Sequence, residues 1–166
     1  MKTHFLQLPF LKLQFSRIAI SVLALAAAIA APLPAVAALG GDVASVQADQ
    51  ARMKAELRIQ TGQAYTVHEL HEAGGNVIKE FISPAGKVFA VTWSGRSIPD
   101  MRQLLGTYFD QFSQAVQTRA RRLGRAPLNI HHNGLVVQSG GHMRTFSGRA
   151  YLSDKLPEGV SLDAIH

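Results

Sequence analysis

Six histidines lie downstream of His4: His68, His71, His131, His132, His142 and His166. With Met53, Met101 and Met143 they raise the question of a metal, because imidazole and thioether ligands suit copper in a chain without thiols. Spacing argues against a shared site. On a strand, His68 and His71 differ by an odd number and point to opposite faces, as do the neighbours His131 and His132. These histidines therefore read as structural or surface residues, and no metal ligand is assigned among them. His142 stands apart because Gly140-Gly141 lets the backbone turn just before it. If His142 to Phe146 runs as a strand, His142 and Arg144 share one face and Met143 points to the other. The expectation is a polar surface of His142 and Arg144 able to meet an anionic group, without tight copper or zinc binding.

Other chemistry finds little support. Nucleophilic hydrolysis needs a serine activated by a base, and there is no Gly-x-Ser-x-Gly elbow. Trp93-Ser94-Gly95 and Ser139-Gly140-Gly141-His142 read as turns. Glu69 and Glu80 could be offered as a glycosidase pair, but they read as exposed strand carboxylates. The Gly-Gly pairs at 40, 74 and 140 lack nucleotide-loop spacing. Arg119, Arg121, Arg122 and Arg125 are the one charge cluster. They read as a solvated helix end favoured by the dipole, the alternative being contact with an acidic envelope surface. No catalytic, cofactor or metal residue follows.

The elements that would position these residues are legible in outline. Asp42 caps a helix along Val43, Val46, Ala48, Ala51 and Ala55 that ends near Leu57. Tyr65 to Glu72, Asn76 to Ser83 and Lys87 to Ser94 form an antiparallel meander, turned at Gly74-Gly75 and Pro84-Ala85-Gly86. A three-residue loop at Pro84-Ala85-Gly86 sets Ser83 opposite Lys87, Phe81 opposite Phe89 and Val77 opposite Trp93. Val77, Phe81, Phe89, Val91 and Trp93 then share a core face. A two-residue Gly74-Gly75 loop would set Glu69 against Glu80, an unfavourable pair. Ser97 caps a helix of about seven turns, whose apolar stripe runs from Ile98 through Phe109 and Phe112 to Leu123. Leu128 to His132 and Leu135 to Ser139 flank the hairpin signal Asn133-Gly134. The fold class is α+β: an antiparallel sheet of meander and hairpins, one long amphipathic helix packed across it, and a shorter N-terminal helix.

The 166 residues carry a formal charge of +6, are 47% hydrophobic and contain no cysteine, which excludes a disulfide scaffold, a zinc-thiolate site and a cysteine nucleophile. Residues 1–37 have the grammar of a secretory signal peptide: Lys2, Lys12 and Arg17, then the apolar run Ile18 to Ala31, then Ala35-Val36-Ala37 at a cleavage position. The run is shorter than the ~20 residues of a spanning helix, so no stable membrane span is expected after cleavage. Three excess positive charges leave with the signal, so the pI of 10.1 is no nucleic-acid signature. The organisation expected is a signal at 1–37, a single α+β domain at 38–154 and a loosely docked tail at 155–166.

Ala38-Leu39-Gly40-Gly41-Asp42, Ser83-Pro84-Ala85-Gly86, Phe89-Ala90-Val91-Thr92-Trp93, Pro99-Asp100-Met101-Arg102-Gln103-Leu104-Leu105-Gly106, Gly141-His142-Met143-Arg144 and Gly148-Arg149-Ala150-Tyr151-Leu152 together stop looking generic. The chain resembles a family of exported bacterial proteins known as domain of unknown function 2844. The resemblance implies export and a single small domain, and it carries no catalytic residue. The reading is a non-enzymatic binding or accessory protein of the bacterial envelope, periplasmic or extracellular, whose partner is an envelope protein or an anionic surface component and not nucleic acid. The alternative is an exported metal-binding protein or small hydrolase using the histidines.

Overall fold

The structure, a computed structural model, describes residues 39–123 and 127–166, with only the backbone described for 119–123. The expected signal peptide lies outside the described residues. Those residues fall within one compact unit, Pro34–His166. Their frame is a seven-stranded sheet: β1 (Glu56–Thr61), β2 (Thr66–His71), β3 (Val77–Ile82), β4 (Val88–Gly95), β5 (Leu128–His132), β6 (Leu135–His142) and β7 (Thr145–Leu152). The order is β1-β2-β3-β4-β7-β6-β5, with every neighbouring pair antiparallel.

The expected α+β design of one long helix across a sheet is corrected: the chain is largely β, and its helices are short pieces. They are α1 (Val43–Met53), α2 (Met101–Leu105) and α3 (Phe109–Leu123). The expected seven-turn helix breaks at Gly106, whose φ of 49° and ψ of −120° leave the helical region and suit a residue without Cβ. A 3-10 turn, Gly106–Tyr108, links α2 to α3. The start also differs. Asp100, not Ser97, is the cap, accepting from the N–H groups of Arg102 at 2.9 Å and Gln103 at 3.3 Å. Ile98, expected in the stripe, is 56% exposed.

Local chemistry explains the elements that agree. The Asp42 carboxylate accepts from Ser45 N–H at 3.0 Å and starts α1. That helix stops at Met53, because Lys54 takes a left-handed φ of 50°, and the next residues form β1 instead of continuing to Leu57. Asn133 and Gly134 both have positive φ, 45° and 79°, and join β5 to β6 as a two-residue turn. At Pro84-Ala85-Gly86 the Ser83 N–H donates to the Lys87 carbonyl at 2.8 Å, as the turn residues demand.

Register differs in two places. Between β2 and β3 the loop has three residues, closed by Glu72 N–H on the Asn76 carbonyl at 2.9 Å, so Glu69 faces Lys79 and His68 faces Glu80. Between β3 and β4 a bulge lies at Phe89: Phe81 pairs with Ala90 and Ile82 with Val88. Every later pair moves by one, and Val77 faces Ser94 rather than Trp93. The expected core face is thereby divided. Val91 and Trp93 join Ile78, Leu104, Leu105, Val137 and Leu152 under the helices, while Phe81 and Phe89 turn to the opposite face with Val136, Tyr151 and Ile165. Further on, Gly140-Gly141 does not reverse the chain. It lies inside β6, and the reversal falls at Met143-Arg144.

Candidate functional site

In β4 and β7 polar residues alternate with apolar ones, and alternation puts each set on its own face of the sheet. Register decides what those faces assemble. On the face away from the helices, Lys79, Thr92, Arg149, Gln138 and Asn129 stand side by side across five strands. Two residues along, Val77, Ser94, Ser147 and Gly140 form a parallel row. These rows floor an open groove of about 570 Å³. At ~4.8 Å between strands the floor is about 19 Å wide.

Between the two rows lies the backbone of Trp93, Gly148 and Ser139, with the Trp93 and Ser139 side chains on the other face. Gly148 is required there. A Cβ on it would come within 2.3 Å of Trp93 Cζ2 and 2.7 Å of the Gln138 carbonyl oxygen.

The other end of the same face is apolar and is covered by Tyr65, Leu156, Val160 and Ile165. The boundary between covered and open halves is held by the two cations. Arg149 donates from Nε to Gln138 Oε1 at 2.8 Å and from one Nη to the carbonyls of Leu162 at 2.8 Å and Ile165 at 3.4 Å. Its second Nη has no hydrogen-bond partner among the described residues. Lys79 Nζ donates to the backbone oxygen of His166 at 3.2 Å. The tail expected to dock loosely thus carries a fully buried side chain, Ile165, and three residues from it, Leu162, Ile165 and His166, line or close the groove.

A second polar group lies under the helices. Glu80 and Asp49 are both 0% exposed. Asp49 Oδ1 accepts from Gln103 Nε2 at 2.8 Å and lies 3.7 Å from Arg52 Nη1. Asp49 Oδ2, both Glu80 carboxyl oxygens and His68 Nδ1 are buried without hydrogen-bond partners among the described residues. Burial, reinforced by the negative charge of Asp49, pushes the Glu80 carboxyl up to about 8. Burial raises Asp49 to about 6 against the opposing pull of Gln103 and Arg52, and it lowers His68. Glu80 is therefore a neutral acid at pH 7, sealed from any substrate. The pairing of Glu69 with Glu80 as exposed carboxylates is corrected: they occupy opposite faces, and Glu69 bonds His71 Nε2 at 2.5 Å.

The histidines are dispersed. His142 and Arg144 are exposed, but Arg144 sits in the β6–β7 turn with φ 67°, so the two do not share a strand face. His142 stands one row beyond the groove floor and does not line it. His132 pairs with Leu135 at the start of β6, and His142 is seven residues further along that strand, about 23 Å away at ~3.3 Å per residue. Among the described residues no group of three or more His, Cys, Asp or Glu could hold a metal ion. Arg125 lies outside the described residues, and of Arg119, Arg121 and Arg122 only the helical backbone is described. No described helix is long and apolar enough to cross a membrane.

Sequence reasoning missed the floor residues Lys79, Thr92, Ser94, Gln138, Ser147 and Arg149. Their one signal was the polar alternation within β4 and β7, which looks like any solvated strand until the register is known. No curated protein and no solved structure matches the chain. The turns and strands that carried the resemblance all fall inside residues 35–165, which match the family described as "Protein of unknown function (DUF2844)", and the chain belongs to that family.

Proposed function

We propose that the protein is an exported, non-enzymatic binding protein of the bacterial envelope, and that its ligand lies on the polar floor of the β3-β4-β7-β6-β5 groove. The observation that supports the reading is the floor itself. Hydroxyls and amides from strands distant in sequence converge on one open surface of ligand-sized volume. The buried carboxyl pair is closed to substrate, and the described histidines gather into no group of three or more with each other or with acids, so binding is preferred over hydrolysis or metal carriage.

Export is supported by the charged start, apolar run and small-residue cleavage position of residues 1–37. Cleavage after Ala37 gives a protein beginning at Ala38. Intact mass of the protein recovered from the periplasm or medium checks this, and retention of Met1 in the membrane fraction overturns it. The groove is checked by amide NMR of the purified protein titrated with a panel of small polar compounds. The reading expects shifts to cluster on Thr92, Ser94, Gln138 and Arg149 and to vanish in the groove-filling variant Ser94→Trp. Shifts clustering instead at the His142 to Arg144 hairpin would move the site there.

A further inference from the structure

Resting on the reading of the groove as a binding site, we propose that its ligand is an acidic sugar, whose carboxylate is taken by Arg149 and whose hydroxyls lie over Ser94 and Ser147. Charge comes first. Arg149 and Lys79 are the charged side chains lining the groove, and no acidic side chain among the described residues lines it with them. Arg149 forms no ion pair within the described residues, and its partners are an amide oxygen and tail carbonyls. Lys79 donates to the backbone oxygen of His166, the last of the 166 residues, and stands opposite Glu69 of the next strand. Arg149 is therefore the groove cation that lacks an internal counter-charge among the described residues.

Geometry then assigns the anion. Arg149 is held from two directions, by Gln138 at Nε and by the tail at one Nη. Its plane is fixed while the second Nη remains available, an arrangement that suits a carboxylate oxygen. Ordering this side chain costs the ligand nothing further. One row beyond Arg149 the floor changes character. The Ser94 and Ser147 hydroxyls each donate and accept, as sugar hydroxyls do. Val77, half-buried, supplies apolar surface at the margin for the C–H face of a ring. A fully charged ligand such as inorganic phosphate would use Arg149 and leave the hydroxyl row unmet. A neutral sugar would leave Arg149 unmet.

The test is amide NMR and calorimetric titration of the purified protein with D-glucuronate, D-glucose and inorganic phosphate. Glucuronate is expected to saturate, shifting Thr92, Gln138 and Arg149. Glucose is expected to bind about tenfold or more weaker, since it leaves a charge-assisted hydrogen bond unmade. Arg149→Gln should lose about tenfold in glucuronate affinity, a larger loss than it causes for glucose. If Arg149→Gln loosens the tail and lowers the melting temperature, the salt dependence of glucuronate binding in the wild type carries the charge test. Equal binding of glucose and glucuronate overturns the acidic class and leaves the groove reading standing. Phosphate shifting these amides where glucuronate does not overturns the sugar class. Floor shifts with compounds of the panel but with none of these three overturn the inference alone, and absence of floor shifts with any compound overturns the groove reading as well.

Discussion

Replacing Glu80 by Gln should flatten the dependence of stability on pH above neutrality. The folded-state value of about 8 lies above the ordinary 4.5, so folding binds a proton. The stability from the neutral carboxyl is complete below about pH 4.5 and is lost as pH rises through about 8. At ~1.36 kcal/mol per unit the full loss is about 5 kcal/mol, of which about 2 kcal/mol falls between pH 6.5 and 9. That window isolates Glu80. Asp49, raised to about 6, has lost most of its contribution by pH 6.5. His68, lowered by burial, acts on the acid side, where its protonation favours the unfolded chain. Urea unfolding followed by the fluorescence of Trp93, the one tryptophan and 3% exposed, measures the change directly. The wild type should lose about 2 kcal/mol from pH 6.5 to 9, and Glu80→Gln, which carries no proton to lose, should stay nearly level. A wild type equally stable at both pH values, or a Glu80→Gln protein with the wild-type slope, would refute the account of a desolvated acid.

Three further predictions concern packing. Gly148→Ala should cost about 1 to 3 kcal/mol by forcing Trp93 from its place, and a shifted Trp93 emission maximum should accompany the lower urea midpoint. Leu104→Ala, at a fully buried position, should cost about 2 to 5 kcal/mol. Phe109→Ala should cost less than a fully buried phenyl would, because Phe109 is half-buried under the Arg102 guanidinium, and paired urea titrations rank the two. Gly106→Ala should cost about 1 to 3 kcal/mol, since its φ and ψ suit only glycine, read as a lower thermal midpoint with unchanged strand content by circular dichroism.

The parts of the fold legible in sequence were those governed by a few adjacent residues. Asn133-Gly134, Pro84-Ala85-Gly86 and the Asp42 cap act within four positions, and their chemistry allows one outcome. The parts that were not legible turn on choices made elsewhere in the fold. Glu56 to Thr61 could have extended α1, and a lysine, Lys54, took the left-handed position that normally announces itself as glycine. Gly106 looked like a tolerated glycine inside an amphipathic stripe. The bulge at Phe89 has no local sequence signal, yet it exchanges the faces of Val88 and Phe89 relative to Val91 and Trp93. The groove shares that dependence. Thr92, Arg149 and Gln138 become one surface only when strands separated by more than forty residues are placed in the right order and register. His142 and Arg144 drew attention through a local glycine pair, which in the fold merely continues β6.

Strand β3 carries consecutive residues with opposite requirements. Ile78, Glu80 and Ile82 serve the helix side, while Val77, Lys79 and Phe81 serve the groove side. A one-residue insertion or deletion before Lys79 would exchange the two sets, driving the lysine into the apolar interior and swinging the protonated acid out into water, where it would ionise. The coding sequence of β3 should therefore admit substitutions but no change of length. The loop Ala73-Gly74-Gly75, exposed on all three residues, is where a related chain could gain or lose residues at little cost.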